Sequence, residues 1–246
     1  MSTSLVAQGV DCYLSLDGSN PCSRASRQRL RRLETAGWKL HKYTEKDMLQ
    51  SFEGLRTLAT LPKVVRCSRS SGGLRRSLAW GFHVEAIALW WRFVNRRYHR
   101  VWVVEDDVGF SGDISSLLSS FDEPVDLVAH GLKPVSVKWH WRETATAEFV
   151  RRFPVRWQIN EHVVMMSTRM MTALEDAAAR SESAWSESAI PTVCMGIDGF
   201  TYKSLDGFVG SKFDWHTRVQ RDEWEVLSSA KRLRARNKLW HALKFQ

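Results

Sequence analysis

The chain has 246 residues, 43% of them hydrophobic, with 12 tryptophans, enough to bury the core of one sizeable α/β domain and too apolar for a disordered protein. Lys and Arg number 36 against 27 Asp and Glu, a formal charge of +9 that favours anionic partners such as nucleotides, phosphorylated glycans, nucleic acid or an acidic membrane surface. The four cysteines are scattered without a CxxC pair, which argues against a structural zinc site, and a Cys12–Cys22 bridge would require an oxidising compartment.

In chain order, VDCYLSLDG (10–18) reads as a strand ending in the turn residues Asp17 and Gly18, and SRASRQRLRRLETAG (23–37) as a basic helix stopped by Gly37. KVVRCS (63–68) is expected to be a short strand or extended piece, followed by the loop SRSSGGLRR (68–76). The clearest helix is 81–98, where Val84, Ile87, Ala88, Trp91 and Val94 recur at three- and four-residue spacing, with Trp90 and Trp91 in or beside the core. HRVWVVEDDVGF (99–110) reads as a buried central strand with cover on both faces, because Val101 to Val104 are all apolar. A short helix at 112–121 and a parallel strand at 125–131 follow. After the aromatic loop KWHWRE (138–143) come a strand at 156–167, a helix at 168–181, a shorter helix at 187–196 interrupted by Pro191, and a basic helix near 222–238.

The expected fold is a single α/β domain over 1–246 with a mostly parallel central sheet flanked by helices. No stretch approaches the ~20 apolar residues that span a bilayer, and the N-terminal segment lacks the basic and apolar regions of a signal peptide.

The chemistry concentrates at Glu105-Asp106-Asp107. Three carboxylates directly after a buried strand fall where open α/β sheets bind ligands, and they repel one another unless a cation neutralises them. Hard divalent ions, Mg²⁺ or Mn²⁺, suit oxygen donors and keep positions for phosphate oxygens. The alternative is a surface turn, or an Asp capping the next helix.

The run of hydrophobic-Trp-hydrophobic-hydrophobic-Glu-Asp-Asp-Val-x-Phe, after a helix with paired aromatics and before a Gly-Asp helix start, resembles the DxD region of GT-A-type nucleotide-sugar glycosyltransferases. It is most similar to an algal and protist group carrying WxxEDDV. The resemblance implies a GT-A-like fold, a nucleotide-diphosphate sugar as donor and a glycan or glycoconjugate hydroxyl as acceptor. It further implies that Asp107 ligates Mn²⁺ (or Mg²⁺), with Glu105 and Asp106 at the ribose or the ion's water shell. Glu187 in SAWSESAIPTVC becomes the candidate base for the acceptor hydroxyl, with Asp126 and Asp198 as alternatives, and that role implies inversion. Trp139 and Trp141 lie in the acceptor-side loop. NKLWHALKF (237–245) resembles a Leu-aromatic-His-Pro-x-Lys ending in which His241 completes the metal shell, Ala242 replaces the proline, and His216 is the reserve ligand.

Asp17 could meet the ribose or base, or simply form its turn. Arg69 and Arg75, with Arg76, lie where diphosphate contact is expected. Only about nine residues precede the 10–18 strand, which matches the second strand of such folds, so the expectation is a fragment or a divergent form without the first. Two other classes share these features. One is a metal-dependent nuclease or nucleotidyltransferase, which lacks a second acidic cluster here; the other is an inactive basic binding module. Nucleic acid is not the expected partner. Oligomeric state and compartment stay open, a secretory lumen being the expectation if an anchor precedes this segment.

Overall fold

Strand β1 (Tyr13–Asp17) pairs in parallel with β2 (Lys39–Tyr43), and helix α1 (Arg24–Thr35) connects them. The computed structural model describes residues 10–19, 24–68, 78–213, 218–229 and 237–243. Gly37, at φ 87°, sits two residues past the end of α1 in the left-handed region where glycine carries no Cβ penalty. Cys12 is a free, buried thiol, whereas Cys22 lies outside the described residues.

Three short helices follow, α2 (Glu45–Ser51), α3 (Glu53–Ala59) and α4 (Pro62–Ser68). Thr44 and Asp47 form a reciprocal capping box at the start of α2. The strand expected at 63–68 is thus a helix. Pro62 at its first position has a φ suited to a helix and no N–H to satisfy, and Val64 is buried in the same cluster as Leu55 and Leu58. Tertiary packing overrides the β-preference of Val64 and Val65.

Helix α5 (His83–Phe93) is the expected amphipathic helix, shortened at its end by Asn95 and Arg96, both at φ 54°. Trp90 and Trp91 are both buried. Strand β3 (Arg100–Val104), the two-residue β4 (Gly109–Phe110), helix α6 (Ile114–Ser119) and strand β5 (Leu127–Pro134) come next. They are followed by α7 (Ala147–Arg152), β6 (Trp157–Ser167), α8 (Thr168–Ala179), α9 (Ser186–Gly196) and β7 (Tyr202–Ser204). The chain closes with β8 (Val209–Phe213), α10 (Arg221–Ser228) and β9 (Leu239–His241). The basic helix read at 222–238 is helical over α10; residues 230–236 lie outside the described set.

The main sheet has the order β3-β6-β5-β7, with β6 antiparallel to both neighbours and β5 parallel to β7. The sheet is therefore mixed rather than mostly parallel, three co-directional strands with one reversed strand inserted. Period-two alternation divides it cleanly. Leu127, Ala129, Val164 and Met166 pack against α5, α8 and α9, while Val128, Val163 and Met165 pack against α6 and the sheet β4-β9-β8. Helices thus cover one face and a small sheet covers most of the other.

Strand β3 corrects a second expectation. It pairs only with β6 among the described residues, and Val104 is 50% exposed, so VWVV is an edge strand rather than a central one. Four apolar residues in a row satisfy a buried strand, but they equally allow a strand whose last residue opens onto a cleft.

Asp126 ties the sheet to its helices. Its buried carboxylate accepts from Ser167 Oγ (2.8 Å), Arg169 Nε (3.0 Å) and Thr201 N (2.9 Å), joining β5, the β6–α8 junction and β7. Burial acts to raise its pKa, but the Arg169 guanidinium and these donors outweigh it and hold the group at about 2. The stabilisation is present above the ordinary carboxylate range and is lost as pH falls toward 2. Asp126→Ala should cost about 3 kcal/mol in urea unfolding at neutral pH, since it strands buried donors. A loss below about 1 kcal/mol would contradict this role.

Glu85 has the opposite sign. It is fully buried in α5, and burial raises its carboxyl from the ordinary 4.5 to about 7. The folded state therefore loses stability as pH rises from below 4.5 through 7. Glu85→Gln should be more stable than the parent by about 3 kcal/mol above pH 7 and nearly equal to it near pH 4. Parallel stability–pH curves for the two proteins would refute the assignment.

Candidate functional site

The site forms where β3 ends. Glu105 N donates to His162 O (3.0 Å), extending the β3–β6 ladder by one residue, and Val108 N closes a turn onto Glu105 O. That turn carries Glu105 and Asp107 inward, with side chains 20% and 16% exposed, and leaves Asp106 exposed. Strand β9 arrives from the far end of the chain, pairing Trp240 with Gly109, and delivers His241 opposite both carboxylates.

His241 Nε2 lies 3.4 Å from Glu105 Oε2 and 3.3 Å from Asp107 Oδ1. His162 Nδ1 lies 2.9 Å from the same Glu105 oxygen, and its ring stacks on His241 at 3.6 Å between centroids. Both imidazoles are buried. Burial would raise the Glu105 pKa, yet hydrogen bonds from the two histidines outweigh it and hold the carboxyl well below the usual carboxylate range.

A bulge makes this meeting of side chains geometrically accessible. Between the pairs Val128↔Met165 and His130↔Asn160 one residue of β5 faces four of β6, residues 161–164. Bulges re-aim side chains. Glu161 and His162, consecutive in sequence, consequently both serve the site: Glu161 Oε1 lies 3.1 Å from His83 Nδ1, while His162 meets Glu105.

The donor set fits a cation. Ligand atoms sharing one ion at about 2.1 Å stand roughly 3.0–3.4 Å apart in octahedral or tetrahedral arrangements, close to the 2.9 Å and 3.4 Å from Glu105 to the two imidazoles, and Asp107 adds a carboxylate 3.3 Å from His241 Nε2. Glu105, His162 and His241 form the one such cluster of three among the described residues. Two imidazoles with two carboxylates suit Mn²⁺, Co²⁺ or Zn²⁺ better than Mg²⁺.

The base candidate Glu187 lies beside this cluster. It occupies the first turn of α9 and is buried. The starts of α5 and α9 are stitched together: Val84 N donates to Ser186 Oγ (3.1 Å), and Ser186 N donates to Gly81 O (3.0 Å). Gly81 is required here, because a Cβ would stand 2.2 Å from the Trp185 ring. The charges of Glu105 and Glu187 both act on His83, so the metal-type cluster, His83 and Glu187 belong to one neighbourhood.

Trp141 stacks on Trp185 at 3.6 Å, and Trp80 meets both rings edge-on. Trp139 packs against the same apolar cluster from its turn. Asp17 accepts from Ser19 N (2.8 Å), the turn-forming bond. Of the two alternative bases, Asp126 is committed to its structural tie and Asp198 is exposed in a turn. Arg69, Arg75, Arg76 and His216 lie outside the described residues.

Three participants were missed from sequence: His83, Glu161 and His162. The signal was present in INEHVVMM, where a charged residue and an imidazole interrupt an otherwise apolar strand.

If the cluster is a cation site, Mn²⁺ should bind the protein alone. His162→Ala and His241→Ala should each weaken it at least tenfold by titration with spin-resonance detection of free Mn²⁺, and binding should weaken toward pH 5 as the imidazoles protonate. Unchanged affinity in both variants would exclude these ligands.

No family model matches the chain, and no curated protein matches it. A solved structure to which it is similar is mouse xyloside xylosyltransferase 1 in its apo form, at 12% identity and a TM-score of 0.39, over 95% of this chain and 84% of that one.

Proposed function

We propose that the protein is a metal-dependent glycosyltransferase that moves a sugar from a nucleotide-diphosphate donor to a hydroxyl acceptor, a glycan or glycoconjugate. The observation that carries this reading is the convergence of Glu105, Asp107, His162 and His241 at the end of β3, beside a buried carboxylate on a helix start.

In this reading the four side chains hold a divalent ion, Mn²⁺ in preference to Mg²⁺, which supplies positive charge against the diphosphate. Asp106 remains exposed on the same turn for the ribose or the ion's water shell. Asp17 serves the nucleoside end, and Arg69 and Arg75 the phosphates. The loop of Trp139 and Trp141 forms the acceptor side, its indoles offering flat apolar faces to a sugar ring.

Glu187 takes the proton. The acceptor oxygen bonds to the anomeric carbon as the bond from that carbon to the diphosphate oxygen breaks, and the hydroxyl proton passes to the Glu187 carboxylate. Attack from the side opposite the leaving group inverts configuration. The burial of Glu187 and its place at the start of α9 keep it oriented, and the Ser186–Val84 bond fixes its distance from the rest of the site.

Calorimetry with UDP and GDP tests the reading. Binding that requires Mn²⁺ and disappears in Asp107→Ala, with the variant still folded, is the expected result. Nucleotide binding indifferent to both ion and Asp107, or tight duplex binding with a steep salt dependence instead, would favour the nucleic-acid or binding-module alternatives.

A further inference from the structure

A third imidazole stands beside the four-donor cluster, and it is held in another way. His83 opens α5 with its side chain 26% exposed, its Nδ1 3.1 Å from Oε1 of Glu161, whose side chain is only 2% exposed. The second oxygen of Glu161 is buried without a hydrogen-bond partner among the described residues, so this carboxylate acts on one neighbour. With Nδ1 committed to Glu161, the remaining ring nitrogen is Nε2.

The titratable groups acting on His83 come from four elements: Glu161 on β6, Glu105 after β3, Glu187 on α9 and Glu85 on its own helix. Burial disfavours the imidazolium, but Glu161, Glu105 and Glu187 outweigh it and raise the group to about 9. The balance favours the charged ring. With an ion on Glu105 and Asp107, Glu161 still faces His83 Nδ1 at 3.1 Å and favours a second positive group supplied by the protein itself.

The position of that charge is fixed from three sides. The β6 bulge places Glu161, the Ser186 Oγ bond holds Val84 N immediately after His83, and the Gly81–Trp185 contact sets the preceding turn. A purely structural ion pair has no need of a partly exposed ring beside both the metal-type cluster and the candidate base.

We propose that His83, oriented through Nδ1 by Glu161, is a diphosphate-binding residue that donates a hydrogen bond through Nε2 to a phosphate oxygen while other phosphate oxygens face the ion. The proposal rests on the nucleotide-sugar reading above. No proton changes hands: the diphosphate departs as an anion, and the N–H remains on His83. Charge-assisted bonds of this kind to phosphate are among the stronger polar contacts available to a side chain.

The experiment is calorimetric titration of UDP and GDP, with Mn²⁺ present, into the parent, His83→Gln, His83→Arg and Glu161→Gln at about pH 6 and about pH 8.5, with Mn²⁺ alone titrated in parallel. His83→Gln should weaken nucleotide binding about tenfold or more, His83→Arg should restore most of it, and Mn²⁺ alone should bind no more weakly. Glu161→Gln should bind near the parent's affinity at the lower pH and lose it at the higher, because the imidazole returns toward its ordinary 6.5. If His83→Gln and Glu161→Gln both match the parent's affinity and pH profile, the proposal is overturned while the glycosyl-transfer reading stands. If the parent binds neither nucleotide with Mn²⁺, that reading falls and His83 with it.

Discussion

Two carboxylates two residues apart, turned into a partly enclosed space, repel one another, and the organisation of this site follows from how that repulsion is met. Glu105 and Asp107 both approach one imidazole nitrogen, His241 Nε2, and the same Glu105 oxygen meets a second, His162 Nδ1. Hydrogen bonds from the two imidazoles offset the repulsion at Glu105, and a divalent ion among these donors would offset it further. The two histidines come from different sheets. His162 belongs to the main sheet and His241 to the small one, so the cluster is also the point at which the two sheets are pinned together.

The rest of the fold supplies rigidity around that point. The β6 bulge turns two consecutive residues to use, and the hydrogen bonds joining the starts of α5 and α9 place His83 and Glu187 within each other's field. Trp80, Trp141 and Trp185 pack on one another beside the start of α9. Strand ends, helix starts and the irregular stretch of β6 at Glu161 and His162 provide the chemistry, while the apolar faces of β5 and β6 provide support.

Periodicity made the long elements legible. The helices α5 and α8 and the strand β6 follow from spacing alone, since each has a continuous apolar face or run. The triplet at 105–107 was visible because charge after a hydrophobic strand is locally anomalous, and the structure separates its members, two inward and one exposed. What escaped was decided by contacts distant in sequence. The reversed direction of β6 is invisible to a pattern that reads the same in either direction. The edge position of β3 depends on partners, and the helix at 62–68 on the burial of one valine. His83 and Glu161 are 78 positions apart along the chain and meet only because a bulge, which no periodicity announces, aims one at the other.

The most direct test of the cation site is crystallographic. Crystals grown with Mn²⁺ and measured for anomalous scattering should show a peak bounded by Glu105, Asp107, His162 and His241, with ligand distances of about 2.1–2.2 Å. A peak elsewhere, or no peak at saturating Mn²⁺ with the two histidines still bonded to Glu105, would contradict the account.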